Sequence, residues 1–223
     1  MKNKKILLTV AAILLLLSSN SFAQFRMSVA PVTGMGFSIH NGSDLNQSGN
    51  GFGVTAGALI DMQFNQSVGL LTNIGFYDNR SGSYEDDITF QPGVVGTIEN
   101  SVSLSYFTIE PLFKFQFPSR FYLMIGPAIG FNLSAENEIV EKITTPGWTF
   151  DGQNTTRKSK GTIRNTNVRF ELKAGMGYNI RVANGFDIAP QVTFGYGLTN
   201  VVEDVNWKIL TIQANVAFKF AVL

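Results

Sequence analysis

The chain has 223 residues, with 17 basic and 16 acidic side chains, one histidine and no cysteine. A near-neutral balance without a basic block argues against nucleic acid as a partner. Without cysteine there are no disulfides and no thiolate metal sites, so stability must come from a core, a closed sheet or lipid.

The first predicted element is a leader. Lys2, Lys4 and Lys5 precede an apolar run from Ile6 to Leu17 that only Thr9 interrupts. Ser21-Phe22-Ala23 then offers small residues at the positions a signal peptidase reads. The run is short against the ~20 residues that cross a bilayer as a helix. A cleaved signal over 1–23 and a single mature domain over 24–223 are expected. Cleavage removes three lysines and no acid, which turns the formal charge of +1 slightly negative.

Beyond Ala23 the sequence alternates with period 2 almost throughout, rich in Gly and aromatics and without a helical stripe. Eight segments result. The first four carry every second residue on an apolar face over 25–39, 52–64, 68–76 and 107–117. The other four do so over 121–133, 170–180, 186–198 and 210–222. No charged residue falls on this face. Pro31, Pro111, Pro127 and Pro190 lie inside the segments without an N–H to donate, and β-bulges are expected to accommodate them.

The connections alternate as well. Asn65-Gln66, Pro118-Ser119-Arg120 and Ala183-Asn184-Gly185 are short turns, and between them run long polar stretches near 41–50, 78–101, 134–167 and 199–208. Short turns at one end and long loops at the other are the pattern of an outer-membrane barrel. An even strand count places both termini on the short-turn, periplasmic side of a Gram-negative outer membrane.

A soluble, lipocalin-like ligand carrier would also have a leader and eight strands, and the second face separates the two. It holds ten glycines, among them Gly53, Gly57, Gly75 and Gly177, with Asp61, Glu110, Lys114, Glu171, Lys173, Asp187, Gln213, Asn215 and Lys219. Side chains from all strands converge inside a narrow barrel, which explains the glycines. A lysine facing lipid at mid-membrane would cost ~2–4 kcal/mol, so the charges belong inside. The expected fold is all-β: an eight-stranded antiparallel transmembrane β-barrel, an up-and-down meander with its apolar face to outer-membrane lipid.

Three runs resemble a known family. Tyr106-Phe-Thr-Ile-Glu-Pro-Leu-Phe-Lys-Phe-Gln-Phe117, Phe121-Tyr-Leu-Met-Ile-Gly-Pro-Ala-Ile-Gly130 and Phe194-Gly-Tyr-Gly-Leu-Thr-Asn200 follow in the order found in Bacteroidetes outer-membrane β-barrel domain proteins, the PorT-like and OmpA-like group. The resemblance covers the chain from about Gln24 to the C-terminus and implies an outer-membrane barrel. One branch of that family serves a secretion machinery, which makes a PorT-like subunit an alternative role.

Chemistry is sparse. His40 is the one histidine, beside Ser38 and Ser43 at the expected outer rim, with no recognisable orienting carboxylate. Glu85-Asp86-Asp87 reads as a solvated acidic loop tip rather than a calcium site. No metal, cofactor or catalytic residue is assigned, and an enzyme is not expected. Inside the barrel, Glu110, Lys114, Arg169, Glu171 and Lys173 should pair across the lumen, because unpaired charges there would be very costly. Trp148, Phe150, Arg157, Lys158 and Lys160 make 134–167 a candidate surface for an extracellular or membrane-protein partner, together with 78–101.

Overall fold

The computed structural model describes residues 25–45 and 47–222; the expected leader lies outside them. Ten strands form one antiparallel sheet: β1 (Arg26–Asn41), β2 (Gly49–Gln63), β3 (Val68–Gln91), β4 (Val94–Gln116), β5 (Phe121–Ile143), β6 (Thr156–Thr162), β7 (Arg169–Tyr178), β8 (Ile180–Ala183), β9 (Phe186–Gly197) and β10 (Lys208–Ala221). Eight make a ring, in the order β1-β2-β3-β4-β5-β7-β9-β10, and β10 pairs back on β1 from Ser28↔Ala221 to Asn41↔Lys208. Closure leaves no edge within the ring, as a sheet in hydrocarbon requires. The two remaining strands are annexes. β8 continues β7 beyond Asn179 along β9, and β6 returns along the far part of β5.

Exposure alternates along every strand of the ring. Met35, Phe52, Phe76, Phe113, Ile125, Met176 and Val192 point outward, while Leu59, Leu71, Leu112, Met124 and Ala217 are buried in the lumen. The lumen is therefore filled by side chains, as expected for eight strands. One apolar cluster centres on Leu59, Leu71, Leu112, Tyr122 and Met124. A second closes the long-loop end with Leu104, Tyr106, Val201, Trp207 and Ile209. Small residues permit this filling. A Cβ on Gly177 would lie 2.4 Å from the Tyr122 ring, whose residue is Gly177's partner in the β5–β7 register.

Two expectations need correction. The stretches 78–101 and 134–167 are not simply loops. β3 and β4 run on as a hairpin that turns at Pro92-Gly93, with Gly93 at φ 82°, and β5 runs on to Ile143 before β6 folds back on it. β3, β4 and β5 have 24, 23 and 23 residues, about twice the ~9–11 needed to cross a bilayer. Their far halves lose the outward apolar stripe because water replaces lipid there, and so they read as polar loop.

The prolines are not at bulges. The β4–β5 register is the same before and after a gap between Ile109↔Ile129 and Phe113↔Ile125, where Pro111 and Pro127 face one another. Pro31 falls in a similar gap of the β1–β10 ladder, and Pro190 lies just beyond the end of the β7–β9 pairing. The missing donors coincide with skipped ladder bonds.

Bulges occur elsewhere, and they matter more. Between Gly75 and Asp78 strand β3 carries one residue more than β2 and β4. Phe76 and Tyr77 both point outward, at 60% and 43% exposure. The inward set on β3 changes from odd numbers (Leu71, Asn73) to even ones (Asp78, Arg80). A second irregularity at Ser105/Tyr106 does the same for β5, bringing Ala135 inward.

Candidate functional site: the charged lumen

The inward faces of six ring strands, β2, β3, β4, β5, β7 and β10, build two polar clusters. Near the short-turn end, Asp61 on β2 accepts both oxygens' worth of bonding from Lys114 on β4, at 3.0 and 2.8 Å, and a further 2.7 Å bond from Lys219 on β10. Lys219 also donates to Asn179 Oδ1 at 2.9 Å. The Tyr122 ring lies 5.0 and 4.8 Å from the two ammonium groups. Two cations thus share one carboxylate, beside an open mouth of about 660 Å³ rimmed by Arg26, Arg120 and Arg181.

The larger cluster sits toward the long-loop end and is continuous. Asn73 donates to Glu110 at 3.2 Å, and Lys173 pairs with Glu110 across the lumen while donating to Gln213 at 2.8 Å. Gln213 in turn donates to Asp78 at 3.1 Å, and Asp78 accepts from Arg80 Nε at 3.0 Å. Arg80 approaches Glu171 at 4.0 Å, and Glu171 pairs with Arg169, whose guanidinium lies 5.0 Å from the Tyr106 ring centre. Nearly every member is under 10% exposed. Ionised partners in such a setting need both charge and hydrogen-bond compensation. The contacts pair every charge, while Arg80 Nη1 and Arg169 Nε and Nη1 are left without a hydrogen-bond partner among the described residues.

Of the five candidate residues, Glu110, Arg169, Glu171 and Lys173 belong to the larger cluster, and Lys114 to the smaller one with Asp61. Sequence reasoning missed Asp78 and Arg80, which lie in what reads as a loop. Their signal is the doublet Phe76-Tyr77, two aromatics in a row where strict alternation asks for one.

Asp61→Asn tests the smaller cluster. It leaves two buried ammonium groups facing a neutral amide and should lower unfolding stability by about 3 kcal/mol. Adding Lys219→Met should restore part of that loss. Urea unfolding of the detergent-solubilised barrel measures both, and an equal loss in single and double variants would mean the two residues do not interact.

His40 has no free nitrogen for catalysis. Its Nδ1 accepts from Trp207 Nε1–H at 3.1 Å and its Nε2–H donates to the Ser81 carbonyl at 3.1 Å, a tautomer inferred from these partners. Ser43 bonds instead to Asp44 and Asn206. His40 therefore ties β1, β3 and the segment before β10 together under the apolar cluster at the long-loop end. His40→Ala strands the buried indole N–H and should cost about 1–3 kcal/mol, read as a lower urea midpoint with a red-shifted tryptophan emission. Glu85 and Asp87 point to the opposite side of β3 from Asp86, and among the described residues no cluster of potential metal ligands forms.

A closed ring of tilted strands with an apolar exterior and a charged, filled interior defines a membrane β-barrel. The chain belongs to the outer membrane protein beta-barrel domain family, whose model matches residues 21–203. Among solved structures it is similar to Ail, the attachment invasion locus protein of Yersinia pestis, at 12% identity over 87% of this chain and 99% of that one, with a TM-score of 0.38. Neisserial surface protein A matches at 12% identity over 87% and 97%, with a TM-score of 0.38. OprG from Pseudomonas aeruginosa matches at 12% over 88% and 94%, with a TM-score of 0.32. No curated protein matches the chain.

Proposed function

We propose that this protein is a non-enzymatic outer-membrane barrel with a plugged lumen, acting outside the cell through the β-hairpins that extend β3–β4 and β5–β6. The asymmetry of the two ends carries this reading. One end has only tight turns and the two ends of the described chain, whereas the other raises ordered, mostly polar sheet well beyond the outward apolar band. A rigid scaffold presenting such elements is where binding usually resides. The engaged nitrogens of His40 support the absence of catalysis, and the paired lumen charges support a structural rather than a conducting interior.

Epitope tags test the orientation. A tag at Pro92-Gly93 should be reached by antibody on intact cells, and one at Asn184-Gly185 only after permeabilisation. The reverse result would invert the topology. Release of the protein without detergent would instead favour the soluble carrier. The resemblance of the Tyr106–Phe117, Phe121–Gly130 and Phe194–Asn200 runs to the PorT-like group favours a second reading, a Bacteroidetes secretion-machine subunit. Stoichiometric co-purification with other envelope proteins under mild detergent would support that reading.

A further inference from the structure

The extension beyond the membrane is a four-stranded sheet, β3-β4-β5-β6, with two free edges. β2 pairs with β3 only as far as Asn50↔Ser83, so 84–91 of β3 have no neighbour on that side among the described residues. β6 pairs with β5 alone, and all seven of its residues are exposed. Unpaired strand edges are templates for another strand.

The two edges carry opposite charge in the same rows. Following the register across the sheet, Glu85, Glu99, Val140 and Lys158 form one row, and Asp86, Ile98, Glu141 and Arg157 the next. The β3 edge is acidic and its charges are uncompensated. Glu85 stands directly opposite Glu99, a destabilising like-charge pair, and neither they nor Asp86 and Asp87 have an ion-pair partner among the described residues. The β6 edge is basic. Arg157 reaches Glu141 at 2.6 Å, while Lys158 and Lys160 share Glu138 at 3.9 and 3.0 Å, so three cations meet two acids. The Arg157 hydrogen bond holds the Glu141 carboxyl below its ordinary range. All three basic side chains remain 60–76% exposed.

We propose that the acidic upper edge of β3 in one copy adds to the basic edge of β6 in a second copy of this chain. The pairing continues the sheet without changing its pattern. In two copies upright in one membrane, β3 runs away from the bilayer and β6 runs back toward it, so they meet antiparallel. In matched rows Glu85 faces Lys158 on one side of the joined sheet, and Asp86 faces Arg157 on the other. Like edges would instead meet parallel and with like charge, which disfavours a symmetric pair. The contact is heterologous, and closes a ring or extends a chain in the membrane plane. Lysines on an edge ordinarily discourage strand addition; here they discourage every edge except an acidic one. The inference rests on the hairpins lying together outside the membrane, and deepens that reading by naming the partner.

The chain has no cysteine, so single cysteines report the contact directly. Tyr84 and Ser159 share a row at the two edges. Tyr84→Cys and Ser159→Cys proteins, mixed in lipid vesicles and mildly oxidised, should give a disulfide-linked dimer, whereas Tyr84→Cys with Thr162→Cys, three rows away, should not. The dimer should be lost when both members carry Glu85→Lys with Asp86→Lys, and equally when both carry Arg157→Glu with Lys158→Glu. It should return when one member carries each charge set. Dimer insensitive to these changes, or none with the native charges, overturns the pairing. A heat-dependent gel shift and surface access at Pro92-Gly93, measured on the same variants, separate failure of the pairing from failure of the barrel or its orientation.

Discussion

Glu171→Gln should lower the unfolding free energy by about 3–5 kcal/mol, the cost of breaking a buried ion pair from one side. The reason is local crowding of charge. Glu171 is paired with Arg169 and lies 4.0 Å from Arg80, so its loss leaves two guanidinium groups in the lumen with Asp78 as their nearest acid. Arg80 and Arg169 are 1% and 4% exposed, and water cannot readily replace the carboxylate. Glu110→Gln should also destabilise, by removing the partner of Lys173, and the double variant should fall short of the summed losses because both residues belong to one network. The urea midpoint of the heat-dependent gel shift measures each variant. Single-channel recording of the double variant should show no large rise in conductance, since Leu59, Leu71, Leu112 and the Trp207 cap still fill the bore. A large rise would make the network a gate.

Deleting Phe76 and Tyr77 together should abolish assembly of the barrel, whereas deleting Tyr77 alone should be tolerated. The bulge adds one residue to β3, so removing one restores an ordinary ladder in which Gly75 and Asp78 still both point inward. Removing two makes Gly75 and Asp78 neighbours, and period-2 alternation then turns Asp78 and Arg80 outward. An arginine facing lipid costs ~2–4 kcal/mol at mid-membrane, and the lumen would lose two members of its network as well. Heat-dependent mobility and resistance to alkaline extraction measure the outcome. A normally assembled double deletion would show that β3 slips its register and that the bulge does not fix the phase.

Both effects bear on how far the chain could be read without its fold. Alternation from Phe25 to Val222 determined the strands, the outward apolar face and the inward placement of Glu110, Lys114, Glu171 and Lys173, because period 2 is a local property of each segment. The tight turns at Asn65-Gln66, Pro118-Ser119-Arg120 and Ala183-Asn184-Gly185 determined which end is short, for the same reason. The partners of the charges were decided only in three dimensions. Lys173 meets Glu110 across the bore, and Lys114 meets Asp61 rather than the glutamate four residues before it, because strand tilt and register set which inward positions share a height. Asp78 and Arg80 entered the lumen through one extra residue, which a period-2 reading cannot count until the neighbouring strands are placed. The far halves of β3, β4 and β5 stayed hidden for a solvent reason: once both faces meet water, a strand needs no apolar stripe, and only pairing with its neighbours makes it a strand.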